Sequence, residues 1–195
     1  MPDPTGHGSR IAGLLARERT FELLLGQVFT SAAPATGAAV AAAVDWVVEG
    51  GANLIHLSLG LAADRSVLGE AIARALGRGV IVVAAAPSRG APAVYPAAYD
   101  GVIRGTGDAR CAPGELSSLG GELFGACPRP PEAAPAGGRP VGGASIGAAW
   151  LTWSVLGGPP GSVAEVVGRV TAAARYHGVE RRTAAAPLPS SRVNE

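Results

Sequence analysis

Charge is scarce in this chain, and that scarcity excludes several functions. Charged residues make up 16% of the 195 positions, and 16 basic against 15 acidic side chains leave a net charge of +1. Such a balance gives no electrostatic reason to bind nucleic acid or an anionic membrane. Cysteine is nearly absent: Cys111 and Cys127 lack metal-ligand spacing and could pair or stay reduced. Free thiols in a cytoplasmic protein are the plainer reading. No uninterrupted apolar run is long enough to span a bilayer, and the opening Met-Pro-Asp-Pro-Thr-Gly-His is not a signal peptide. A cytoplasmic location follows as the expectation. No internal repeat is apparent.

What the chain has is apolar residues, glycine and proline. Hydrophobic residues reach 48%, with 29 glycines and 16 prolines, which suits a globular domain with a real core. The spacing of Ile11, Leu14 and Leu15 predicts a short amphipathic helix over Arg10–Arg17, with His7 near its first turn. Phe21–Phe29, Asn53–Leu59, Val80–Ala86 and Val102–Thr106 read as strands, the third apolar enough to be buried on both faces. Val40, Val44, Val47 and Val48 mark one intervening helix; Leu68, Ile72, Ala75 and Leu76 mark another. His56, inside its strand beside Ser58, reads as a core or rim histidine. The stretch Glu122–Pro140 reads as a loop, and a last helix carries Val163, Val166, Val167 and Val170. Strands alternating with helices predict an α/β fold, a three-layer, doubly wound, mainly parallel sheet, formed by one domain over residues 1–178. Residues 179–195 read as a flexible tail.

The most suggestive stretch is Gly142-Gly143-Ala144-Ser145-Ile146-Gly147, a glycine turn running into an apolar helix with one hydroxyl at the join. Unpartnered N–H groups and the positive end of the helix dipole lie there, and they can stabilise an oxyanion formed at a nucleophilic serine. The alternative is a plain structural N-cap. His7, flanked by Gly6 and Gly8, allows close approach of another group.

Taken in order, these pieces resemble the subtilisin-like serine proteases. Gly6-His7-Gly8-Ser9-Arg10-Ile11-Ala12-Gly13 resembles the family's histidine segment, and Asn53–Gly60 is similar to its Val-Ile-Asn-x-Ser-Leu-Gly strand. Gly79–Gly90, Tyr95-Pro96-Ala97, Val102-Ile103, Leu116–Gly120 and Gly143-Ala144-Ser145-Ile146-Gly147 match later blocks in the same order. The resemblance implies Ser145 as nucleophile and His7 as its general base. It implies Ser88, where the family normally has asparagine, as an oxyanion donor. The strand end Ser58, Leu59 and Gly60 would line the substrate groove. No cofactor is implied, and no carboxylate cluster for calcium is evident among the 15 acidic residues.

The family's orienting aspartate ends a central strand well before the histidine, but only six residues precede His7. Asp3 matches instead a second, substrate-side aspartate. The expectation is that codons upstream of Met1 encode the strand. The resemblance thus implies a serine endopeptidase acting on a peptide or protein substrate. Its small size and unadorned start are similar to those of a family member that removes the leader of the quinohemoprotein amine dehydrogenase small subunit, which implies one dedicated precursor. The competing expectation is an inactive pseudoprotease that keeps a peptide-binding groove. A doubly wound domain binding a small ligand ranks last, since no Gly-x-Gly-x-x-Gly turn opens a helix after a strand.

Overall fold

The apolar runs around Ile55, Val82 and Ile103 become neighbouring strands in the computed structural model, which describes residues 3, 6–18, 20–29, 35–87, 90–131 and 142–180. Six strands form one sheet: β1 (Leu54–Leu57), β2 (Ile81–Ala85), β3 (Ile103–Gly107), β4 (Leu116–Gly120), β5 (Leu123–Ala126) and β6 (Tyr176–His177). Their order is β1-β2-β3-β5-β4-β6. All neighbours run parallel except β4 and β5, an antiparallel pair. The helices are α1 (His7–Leu15), α2 (Gly37–Glu49), α3 (Ser66–Gly77), α4 (Ala144–Leu156) and α5 (Val163–Ala173).

A period of two assigns alternate strand residues to two core layers. Ile81, Val83 and Ile103 pack with Leu14, Ile146, Leu151 and Val166 beneath α1, α4 and α5. Ile55, Val82 and Ala84 pack with Val40, Val44, Leu68 and Ile72 beneath α2 and α3. The expected three-layer, mainly parallel α/β architecture is therefore what the chain adopts.

Helix α4 is apolar on nearly all sides, as a helix surrounded by protein must be. Its residues Ile146, Ala148, Ala149, Leu151 and Thr152 are buried. It lies directly on β3 because both backbones are stripped of side chains where they meet. A Cβ at Gly105 would stand 2.5 Å from Ala148 Cα, and one at Gly147 would run into the Thr106 carbonyl. This contact fixes the start of α4, and hence Ser145, at the carboxyl ends of the parallel strands.

Four sequence expectations change. Helix α1 begins at His7 rather than Arg10, because the Asp3 carboxylate accepts hydrogen bonds from the N–H groups of Gly6 (2.9 Å) and Ser9 (2.7 Å) and so caps its first turn. Phe21–Phe29 is not a strand and has no regular secondary structure. Phe21 reaches one core layer and Leu24 and Val28 the other, yet the backbone of residues 21–26 has no ladder partner among the described residues. Strand propensity alone cannot form a strand; the N–H and C=O groups need a neighbour. Third, the expected loop Glu122–Pro140 contains β5, whose Gly125 lets Ser117 Oγ and Asp108 Cβ approach closely. Fourth, β6 adds a short edge strand after α5, held where the Arg110 guanidinium lies over the Tyr176 ring and donates to the Gly178 carbonyl at 2.8 Å. Residues 132–141 of that loop and 181–195 of the expected tail lie outside the described residues.

Candidate active site

The serine of the glycine turn is not a cap. Gly143 occupies the N-cap of α4, at φ 113 where glycine is the residue that fits, and Ser145 is the second helical residue. Among the described residues no side chain caps this helix. The N–H groups of its first turn around Ser145 thus have no described side-chain partner, the arrangement an oxyanion needs. Close packing holds the turn: the Gly143 N–H donates to the Pro128 carbonyl at 2.9 Å, and a Cβ on Gly142 would stand 2.5 Å from that same oxygen.

Opposite Ser145 lies the end of β1. The Ser145 hydroxyl donates to the Ser58 carbonyl at 3.4 Å, and Ser58 Oγ stands 3.4 Å from the Ser145 carbonyl. Two segments 87 residues apart in sequence thus meet through reciprocal serine contacts. Beyond Ser58 the chain turns through Leu59, packed against the α2–α3 core layer, and exposed Gly60, where a Cβ would meet Val94 Cγ2 at 3.0 Å. Leu61 then pairs with Tyr95, with N–H to carbonyl distances of 2.7 and 2.9 Å.

The expectation that His56 is only a core or rim residue missed its connections. Alternation that sends Ile55 and Leu57 into the α2–α3 layer turns His56 toward α4. There its Nδ1 lies 2.8 Å from Thr152 Oγ1, and its Nε2 lies 2.5 Å from Ser58 Oγ. Burial first, and the positive field of His7 second, push its pKa down from 6.5 to about 4. His7, the first residue of α1, is therefore within electrostatic reach of His56. His56, Ser58 and Ser145 are brought together directly, and His7 acts on this group through its field at His56. Ser88 lies outside the described residues.

This burial has a measurable consequence. His56 stays neutral in the folded protein down to about pH 4, whereas the unfolded chain takes up a proton below about 6.5. Stability from this group is thus complete above pH 6.5 and declines as pH falls toward 4, by up to about 3 kcal/mol at ~1.36 kcal/mol per pH unit. Melting temperature followed from pH 7.5 to 4 is expected to fall less steeply in His56→Gln. Parallel curves for the two proteins would assign the acid sensitivity to another group.

Among the described residues, no group of three or more His, Cys, Asp or Glu side chains could hold a metal ion, and no helix is long and apolar enough to cross a membrane. Cys111 and Cys127 are both buried free thiols.

No family model matches the chain. Over 137 residues it is 31% identical to subtilisin DY of Bacillus licheniformis, covering 62% of this chain and 50% of that protein. The chain thus spans about half the length of this curated relative. Its fold is shared with the self-cleaved protease domain of PatA, at TM-score 0.58 and 17% identity over 84% of this chain and 73% of that one. The prenylagaramide maturation protease PagA superimposes at TM-score 0.52 and 18% identity, over 72% of this chain and 58% of its own. The chain is thus similar in sequence to a subtilisin over about half of that protein's length, and it shares its fold with the PatA and PagA proteases.

Proposed function

We propose that this chain is a serine endopeptidase. The observation that carries the proposal is Ser145, held at the uncapped start of α4 with its hydroxyl turned toward Ser58 at the carboxyl edge of the sheet. In the proposed reaction, His7 accepts the Ser145 Oγ proton as the oxygen attacks a peptide carbonyl. The Ser145 backbone N–H and the Ser88 hydroxyl receive the charge that develops on the carbonyl oxygen. His7 then returns the proton to the departing amine, and water, activated by the same imidazole, releases the acyl group. Substrate lies extended along Ser58–Gly60. The substrate class we propose is a leader peptide on one dedicated precursor in the cytoplasm; a role in maturation, which its name gives the prenylagaramide protease PagA, supports a processing rather than a digestive task.

One observation favours a second reading. Strand β1 is the edge of the sheet. In the family it resembles, the strand carrying the orienting aspartate belongs there, so a groove that binds peptide without cutting it is the alternative. A fluorophosphonate probe separates the two, since it reacts with an activated serine and not with an ordinary one. Stoichiometric labelling of Ser145, located by peptide mass, is the expected result. An unlabelled but peptide-binding protein would establish the second reading.

A further inference from the structure

We infer that His56 is a positioning residue that holds Ser145 in place through Ser58, with Thr152 fixing the tautomer of the His56 ring. The proton inventory carries this. Thr152 has one hydroxyl hydrogen, and it goes to the Ala148 carbonyl one helical turn back, at 2.9 Å. Its oxygen can then only accept, so His56 Nδ1 bears the hydrogen and donates across 2.8 Å. In the neutral ring Nε2 is left as an acceptor.

Ser58 likewise has a single hydrogen with two oxygens or nitrogens in range. His56 Nε2 at 2.5 Å wins over the Ser145 carbonyl at 3.4 Å. The Ser58 hydroxyl is thereby tied to His56 of β1, which fixes the residue whose backbone carbonyl accepts from Ser145 Oγ at 3.4 Å. The chain of contacts runs from the middle of α4, through β1, and back to the start of α4. It therefore braces the nucleophile against its own helix. Partly buried on the α4 face of β1, the imidazole is held at both nitrogens.

The rate readout rests on the protease reading, and the spectroscopic ones do not. Two variants of the whole chain dissect the ring. The amide of His56→Asn reaches only about as far as Nδ1, so it retains Thr152 and loses Ser58. The amide of His56→Gln extends to the Nε2 position and retains Ser58. His56→Asn is expected to slow phosphonylation of Ser145 about tenfold, equivalent to about 1.4 kcal/mol, and to move the NMR amide resonances of Ser58 and Ser145. His56→Gln is expected to stay within about threefold of the parent with those resonances in place. NMR of nitrogen-labelled histidine is expected to find the Nδ1–H tautomer at neutral pH.

An Nε2–H tautomer, equal rates in Asn and Gln variants, or a loss that merely tracks a lowered melting temperature would overturn the inference. If the parent takes up no phosphonate, the protease reading falls, and the Ser145 and Ser58 resonances still decide the relay: unmoved in the Asn variant, they overturn it. Should His56→Asn fail to fold, Ser58→Ala gives the second route. It removes only the hydroxyl that His56 holds and is expected to show the same tenfold loss and the same movement at Ser145, whereas parent-like behaviour would overturn the relay.

Discussion

Ser145→Ala is expected to abolish peptide cleavage and to leave the fold unchanged. The rate should fall by roughly 10²-fold or more: loss of the nucleophile from an intact triad costs about 10⁶-fold, of which about 10⁴-fold belongs to the orienting carboxylate that does not precede His7 here. Little stability should be lost with it. Among the described residues the Ser145 hydroxyl donates one long hydrogen bond, 3.4 Å to the Ser58 carbonyl, and the residue is only partly buried. Such a bond contributes at most about 1 kcal/mol. Alanine is also a good helix former at the second position of α4, where no capping role exists to lose. A structural serine predicts the reverse, a lowered melting temperature and intact turnover. Calorimetry and a peptide assay on the same preparation separate the two, and turnover surviving in the alanine variant would remove Ser145 from the mechanism.

How much of this site could be read from the chain depends on how local each signal is. Gly142-Gly143-Ala144-Ser145 carries its geometry in its own residues: glycines for the turn, then an unbroken apolar helix. The strands at Ile55, Val82 and Ile103 were equally plain, since apolar alternation and runs report burial directly. His56 was not, because the residue that gives it meaning, Thr152, lies 96 positions away. The only local hint was that Ile55 and Leu57 point into one layer, which commits His56 to the other. Strand β5 was hidden by composition: Leu123–Ala126 contains a glycine and adjoins a proline-rich stretch, and β4 supplies the partner that makes it a strand. Phe21–Phe29 failed in the opposite direction, with the right composition and no partner. Sequence reports what a segment would bury, and pairing is decided elsewhere in the chain.

That missing pairing leads to the last expected result. A segment of about ten to fifteen residues, apolar and ending in Asp-Ser-Gly, joined ahead of Met1 should raise both stability and rate. The structure leaves two faces for such a strand to satisfy. One is the outer edge of β1, which among the described residues pairs only with β2. The other is the stretch 21–26, whose backbone lacks ladder partners among the described residues while Leu23 is 40% and Leu25 67% exposed. A strand added parallel to β1 ends at the same edge of the sheet as Ser58, and its terminal carboxylate is then expected within reach of His7, whose field is felt at His56 in β1. There it would hold the imidazole tautomer and stabilise the imidazolium, effects worth about 10⁴-fold in kcat. Filling the edge should also slow amide exchange across residues 21–26 and 54–57 and raise the melting temperature by several degrees. A matched segment ending in Asn-Ser-Gly keeps the strand and removes the charge. It should gain the same stability and amide protection without the gain in rate. Two fusions that both melt and exchange like the 195-residue chain would show that β1 does not accept a strand at this edge. If the Asp and Asn forms gain rate equally, the benefit is one of order, and the carboxylate plays no part in catalysis.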